Sequence, residues 1–393
     1  MSETIERRSA PPVRDEMLLF GAPSLGAEEL CEVEASLRSG WLGTGPKVER
    51  FERAFAEYKG ARGALAVSSA TAAMHLGLTA VGIGPGDEVV TTALTFCATI
   101  NAIAMTGGTP VPVDVEDATG NLDPALVEAA ITPRTKAILC VHLAGRACGM
   151  AAILEIAGRH GLAVLEDCAH AIETESALGK AGTLGDFGCF SFSASKNLTT
   201  GEGGLLLARR DEELERLRVL AHNGVASGAW DRLQEGGHAH YDVVASGYKY
   251  GMTDVQAAIG IHQLARIEAN WKRRHELWSR YDAALCGLPL RTPAAPEPGT
   301  RHAYHMYQLR LDESSPCTRD EFLAGMLAQN VGVGVHYRSL PEHAFYRERY
   351  GWALADFPAA VRIGGQTASI PFSPYLSDAD VDDVLEAVRR ALS

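Results

Sequence analysis

Seven short apolar runs, spaced by helix-like stretches, occupy residues 64–208 and leave the chain few folds to choose from. They read ALAVS (64–68), EVVTT (88–92), PVPVDV (110–115), KAILCVH (136–142), LAVLE (162–166), GCFSFS (188–193) and GGLLLA (203–208). Amphipathic segments such as TAAMHLGLTAVG and MAAILEIAGRHG lie between the first five. Runs with so little alternation belong to strands covered on both faces. The expectation is an α/β fold, a mostly parallel seven-stranded sheet wrapped by helices. Ligands of such sheets bind beyond the carboxyl ends of the strands, so chemistry is to be sought in the loops that follow the runs.

A chain of 393 residues has room for a large unit and a smaller one. The polar start, MSETIERRSAPPVRDE, has no apolar core of a signal peptide, and residues 1–20 read as a flexible N-terminal arm. Residues 21–270 form the expected large domain and 271–393 a small C-terminal α+β domain. A helical stretch from Asp254 to Leu285, either two helices or one long one, bridges them. After it come the Pro-rich connector TPAAPEPGTRH (292–302), a candidate strand pair, the helix RDEFLAGMLAQN (319–330) and a terminal helix capped by Ser377 or Asp378.

The formal net charge of −13 opposes the diffuse phosphate attraction of nucleic-acid binding and adhesion to an anionic membrane. A small phosphorylated ligand stays open, since a few donors at a helix start can hold it. No segment approaches the roughly 20 apolar residues of a membrane span. The eight cysteines are scattered without a CxxC pair, which gives no metal site and fits core thiols in a reducing cytoplasm.

Of seven lysines, six have the surroundings of a solvated side chain. Lys196 differs: it follows the apolar GCFSF, sits among small residues and precedes the glycine-rich TTGEGG. A lysine at the end of a buried strand is costly unless neutralised or modified, and imine formation with an aldehyde is one use. Taken alone it reads more readily as a surface lysine. Asp167 ends the run in VLEDCAHA, where an unpaired carboxylate is expensive; it suits a protonated ring nitrogen, or caps the next helix. His170, three residues on, is placed either to hydrogen-bond an oxygen on such a ring or to sit in the core. Ser68, Ser69, Ala70, Thr71 and Ala72 run from a strand into a helix, as a phosphate cup or an ordinary cap. Ser191 offers a hydroxyl from a neighbouring strand, and Phe96 a face for a flat ring, or core packing.

These residues lie in blocks that resemble the nucleotide-sugar aminotransferases of the DegT/StrS family: TGPKVERFE (44–52), SATAAMHLGL (69–78), TFCATINAI (95–103), EDCAHA (166–171), GTLGDFGCFSF (182–192), SKNLTTGEGG (195–204), GYKYGMTDVQAAIG (247–260) and VHYRSLPE (335–342). The resemblance runs from about Leu42 to Leu392. It implies the aspartate aminotransferase type of fold (fold type I) and pyridoxal 5'-phosphate as cofactor. Lys196 then carries the cofactor, Asp167 pairs with its ring nitrogen, Thr71, Ala72 and Ser191 hold its phosphate, Phe96 stacks on its ring, and His170 lies beside it. Position 249, often Asn in the family and Lys249 here, reaches the partner's phosphate site across a homodimer. The glycine that the family places before Thr71 is Ala70. Trp41, His336 and Tyr337 match positions near the sugar nucleotide. Relatives that dehydrate sugars have histidine in place of Lys196, so the lysine implies transamination.

The expected reaction moves an amino group from L-glutamate to a nucleotide-linked keto-deoxysugar, with a 4-keto-6-deoxyhexose on thymidine diphosphate favoured. The rivals are a ketocyclitol acceptor and a non-catalytic regulatory protein that binds the same cofactor. A pyrophosphate-bearing substrate needs cationic donors, for which Arg338 is a candidate.

Overall fold

The computed structural model describes residues 11–226, 230 and 240–393. All seven apolar runs become strands of one sheet: β1 (Leu65–Val67), β2 (Glu88–Thr92), β3 (Thr109–Val113), β4 (Thr135–Val141), β5 (Ala163–Asp167), β8 (Phe187–Ser191) and β9 (Gly204–Ala208). The short hairpin β6 (Glu175–Ser176) and β7 (Gly179–Lys180) intervenes. The sheet order is β1-β9-β8-β5-β4-β2-β3. Every pair from β3 through β8 is parallel, and β9 runs antiparallel to both β8 and β1. Every residue of β1, β2, β8 and β9 is buried, as runs without alternation require.

Helices cover both faces. Ala70–Val81 follows β1 directly and packs its apolar residues, among them Met74 and Leu76, with Leu165, Phe187 and Leu206 of the sheet. On the other face Phe51 and Phe55 of helix Pro46–Lys59 meet Phe190, Phe192 and Leu205. Asp254–Leu285 is two helices, Asp254–Ala265 and Ile267–Leu285, broken at Arg266, whose ψ is 0°. Thr253 and Gln256 form a capping box at the first of them.

Beyond the sheet, β10 (Tyr307–Arg310) pairs antiparallel with β11 (Thr367–Ile370), and the helices Arg319–Ala328 and Asp378–Ala391 pack with them. Ser377 caps the last helix with Asp380. We draw the boundary between large and small units inside Ile267–Leu285: Ile267 belongs to the sheet-side core, while Leu277, Trp278 and Tyr281 belong to the C-terminal one. Residues 1–10 of the expected arm lie outside the described residues. Residues 11–20 are tied down rather than free: Leu18 exchanges backbone bonds with Asn330 and Gly332, and Arg14 meets Asp380 and Asp383 at 2.8 and 2.6 Å. No helix among the described residues is long and apolar enough to cross a membrane.

Phe51 is fully buried, 5.3 Å from the Phe192 ring and 6.1 Å from Phe55. Phe51→Ala should lower the unfolding free energy by about 3–5 kcal/mol in urea denaturation, since the aromatic cluster around it cannot close on the void.

Candidate active site

The carboxyl ends of β5 and β8 and the turn after β1 converge, which brings most of the expected residues together. Asp167 closes β5 and is almost fully buried. Its Oδ2 accepts from the Thr99 hydroxyl at 3.0 Å and its Oδ1 from the Ala169 N–H at 3.0 Å. The second bond is the local turn cap that the sequence left open; the first is a long-range contact that it did not reveal. Burial raises the Asp167 pKa, against the lowering effect of those bonds and of the Lys196 charge.

Lys196 sits in the turn after β8, where its N–H donates to the Ser193 carbonyl at 3.0 Å. Burial of its amine pulls the pKa down to about 8, and Asp167 works in the opposite direction. The expectation that the other lysines are solvated fails for Lys59, which is buried, with a pKa lowered to about 8. Lys59 is spent in the core, donating to the Ile172 carbonyl at 2.8 Å and lying over the Phe190 ring. Proximity to Asp167, rather than desolvation alone, singles out Lys196.

Asn197 explains how the turn is held. Its Nδ2 donates to both oxygens of buried Glu173 (2.9 and 3.0 Å) and to the Ala303 carbonyl (2.9 Å). Its Oδ1 therefore accepts, from His305 Nδ1 at 2.9 Å. His305 stacks on His170 with centroids 4.5 Å apart. His170 Nδ1 accepts from the Ala144 N–H at 3.2 Å, so the proton of the neutral ring is on Nε2 and donates to the Tyr337 hydroxyl at 3.0 Å. Burial, then the Lys196 and His336 charges, hold the His170 pKa well below its usual value. Both ring nitrogens thus have protein partners, and the expected bond from His170 to a cofactor oxygen would have to replace the one to Tyr337.

The turn expected to form a phosphate cup is shaped by β9. Gly204 stands opposite Val67 on one side and Ser191 on the other. A Cβ on Gly204 would come within 2.3 Å of the Ser69 carbonyl carbon and 2.5 Å of the Ala70 nitrogen. This close approach places Ser191 beside the start of helix Ala70–Val81. Ser69 caps that helix by accepting from the Ala72 N–H at 3.1 Å. Ala72 was expected to offer that donor to phosphate; here it is engaged, and Ala70 and Thr71 have the remaining first-turn N–H groups. Phe96 is 57% exposed, its ring 5.8 Å from Tyr337. His336 bonds Ser369 Oγ through Nδ1 at 2.9 Å and stacks on Phe20 at 5.1 Å.

Two expected residues are elsewhere. Lys249 is exposed and, with Trp41, lines a separate cavity of about 480 Å³ that also contains Thr44 and Trp230. The Trp41 and Trp230 rings meet edge to face at 4.8 Å. Arg338 is exposed, its Nε 3.6 Å from Glu342. His142, Glu166 and Cys168 cluster as metal ligands do, but their donors and acceptors are already used. Glu166 takes the N–H groups of Gly182, Leu184 and Gly185, each at 2.8 Å, and His142 at 2.9 Å.

Pyridoxal phosphate brings an anion, a ring nitrogen, an aldehyde and a flat face. The cup at Gly204, the buried Asp167, the desolvated Lys196 amine and the exposed Phe96 ring fit these in turn.

If Asp167 raises the Lys196 pKa, capture of pyridoxal phosphate by cofactor-free protein should quicken as pH rises through about 8. Asp167→Asn should move that midpoint to lower pH, because the carboxylate that favours the ammonium form is gone. Stopped-flow absorbance against pH checks both; an unmoved midpoint would mean that Asp167 acts only as a turn cap.

A family model described as the DegT/DnrJ/EryC1/StrS aminotransferase family matches residues 23–389. The spore coat polysaccharide biosynthesis protein SpsC of Bacillus subtilis is 47% identical over 379 residues, covering 96% of this chain and 97% of its own. Among solved structures, Spr1654 of Streptococcus pneumoniae in its PMP form has a TM-score of 0.90 at 31% identity, over 95% of this chain and 98% of that one. The sugar aminotransferase CalS13 of Micromonospora echinospora has a TM-score of 0.84 at 28% identity, over 95% and 99%. Fold, lysine, carboxylate and relatives agree: the chain belongs to the DegT/DnrJ/EryC1/StrS aminotransferases, enzymes dependent on pyridoxal phosphate.

Proposed function

We propose that the enzyme transfers an amino group from L-glutamate to a nucleotide-linked keto-deoxysugar, with a 4-keto-6-deoxyhexose on thymidine diphosphate as the favoured acceptor. The observation that carries this reading is the desolvated Lys196 beside buried Asp167. The names of SpsC and CalS13 supply support for sugar as the substrate class. The cofactor, when bound, supplies the electron sink for both halves of the exchange. Lys196 Nζ, partly neutral near pH 8, accepts the proton from the α-carbon of the donor and delivers one to the acceptor carbon that becomes the amine. Asp167 keeps the ring nitrogen protonated. Thr71 and Ser191 hold the phosphate, which Ala72 joins by exchanging its bond to Ser69 for one to the anion, Phe96 covers the ring, and His170 fixes Tyr337 on the acceptor side with His336. The free thiols Cys140, Cys148, Cys168 and Cys189, all buried, fit a reducing cytoplasm.

The active unit is a two-fold dimer in which Lys249 and Trp41 serve the partner's site. Leu30 and Leu37, two turns apart on helix Ala27–Ser39, are 66% and 57% exposed and offer apolar surface for a second copy.

Glutamate with a panel of nucleotide keto-sugars, the free keto-sugar and an inosose tests the acceptor. The nucleotide sugar should exceed the free sugar in turnover as well as affinity, because distant binding energy positions the ketone. An inosose reacting far better than any nucleotide sugar would replace this reading with a ketocyclitol one. Mixing Lys196→Ala with an inactive Lys249 variant should restore activity through hybrid dimers holding one intact site. Absence of rescue despite proven subunit exchange would exclude a site shared in trans.

A further inference from the structure

On a chain of net charge −13, three arginines line one cavity of about 280 Å³ and a fourth, Arg362, pairs with the Asp117 that lines it. It lies between the loops that follow β3 and β4 on one side, and the Pro-rich connector, β10 and β11 on the other. Arg146, Arg291, Arg310, His302 and Asp117 line it. Asp117 is shared: Arg362 lies 2.8 Å and Arg310 3.3 Å from its Oδ1, and Arg291 lies 3.7 Å from its Oδ2. Arg291 also meets Asp312 at 2.6 Å, and Arg146 pairs with Glu297. Four guanidiniums therefore face three carboxylates. Asp117 and Glu297 are about half exposed and screened by water, whereas Arg146 and Arg310 are largely buried. Burial lowers the Arg310 pKa, Asp117 opposes it, and repulsion from Arg291 and Arg362 adds to it.

His302 points to a ligand independently. It is 4% exposed, and its Nδ1 accepts from the Tyr304 N–H at 2.8 Å, so the ring proton is on Nε2. That Nε2 makes no hydrogen bond among the described residues, and the ring lines the cavity. Burial, then the Arg146 charge, lowers the His302 pKa to about 3, which leaves a neutral N–H donor beside the arginines.

We propose that this cavity binds a phosphate group, with Arg291 and Arg310 as guanidinium forks on its oxygens and His302 Nε2–H as a third donor. Planar guanidinium forks match tetrahedral oxyanions bidentately, and a dianion supplies the missing charge. The occupant joins the sheet-side loops to the C-terminal unit. Gln308 donates to the His336 carbonyl, and the Leu143–Gly145 turn offers the Ala144 N–H to His170, so the cavity adjoins both active-site histidines. Free inorganic phosphate and the phosphate of a nucleotide substrate share this chemistry.

The test uses holoenzyme, so that the cofactor's own phosphate site is filled. Inorganic phosphate is titrated at constant ionic strength against chloride, with melting temperature and calorimetric heat as readouts. Saturable binding is expected, and Arg291→Gln and Arg310→Gln should each raise the Kd about tenfold or more while keeping the visible cofactor band. Should Arg310→Gln lose the band, the more exposed Arg291→Gln decides. Thymidine diphosphate forms the second arm. Displacement of phosphate by it, weakened in Arg291→Gln, assigns the cavity to a nucleotide substrate; retention of phosphate assigns it to the free anion; both uphold the site. No saturable binding beyond chloride, or variants that bind as the wild type does, overturns it. The outcome is independent of which ketone is aminated.

Discussion

A carboxylate withdrawn from water at the end of β5 sets the terms for the rest of the site. Neighbouring strand residues leave opposite faces of a sheet, and Glu166 and Asp167 use the two faces differently. Glu166 meets four donors at 2.8 to 2.9 Å and is finished as a structural brace beneath the 182–185 turn. Asp167 has two, from Thr99 and Ala169, and burial keeps its carboxyl short of stabilisation. What it lacks is a cation, and the nearby Lys196 is itself short of solvation. The two groups are each destabilised alone, and a cofactor that offers a cationic ring nitrogen and an aldehyde relieves both.

That arrangement depends on a polar chain crossing the site: Glu173 to Asn197, Asn197 to His305, His305 stacked on His170, and His170 to Tyr337. The donor directions diverge from the stacked histidines: His305 donates to the one acceptor atom of Asn197, while the Ala144 N–H on His170 Nδ1 leaves that ring's proton to Tyr337. Residues from the sheet, the lysine turn and the C-terminal unit are thereby held in one connected polar network.

The parts legible in the sequence are those written locally. Apolar runs without alternation announced all seven strands, and the glycine-rich turn after GCFSF marked Lys196. The parts that escaped are contacts between distant segments. Nothing near Lys59 tells that its ammonium ends under Ile172 and Phe190. The last glycine of GEGG, Gly204, was visible, yet its use appears only when β9 is laid against Ser69. Thr99, Glu173 and His305 sit in ordinary helix or loop contexts and acquire meaning through partners 68, 24 and 108 positions away. The division of Trp41 and Lys249 from the Lys196 group is likewise a matter of tertiary geometry. The break between the two helices at Arg266 has no proline or glycine to signal it.

The N-terminal segment bears on how such a chain can be handled and how it can diverge. Phe20 stacks on His336, so the segment that a tail-trimming strategy would discard also forms an aromatic wall against a residue proposed for the acceptor side. Fusing another protein to the amino terminus places bulk upstream of that wall, while the carboxyl terminus follows a helix packed into the C-terminal core. Divergence in residues 11–20 can therefore reshape what the catalytic centre admits while every residue of the cofactor site stays the same.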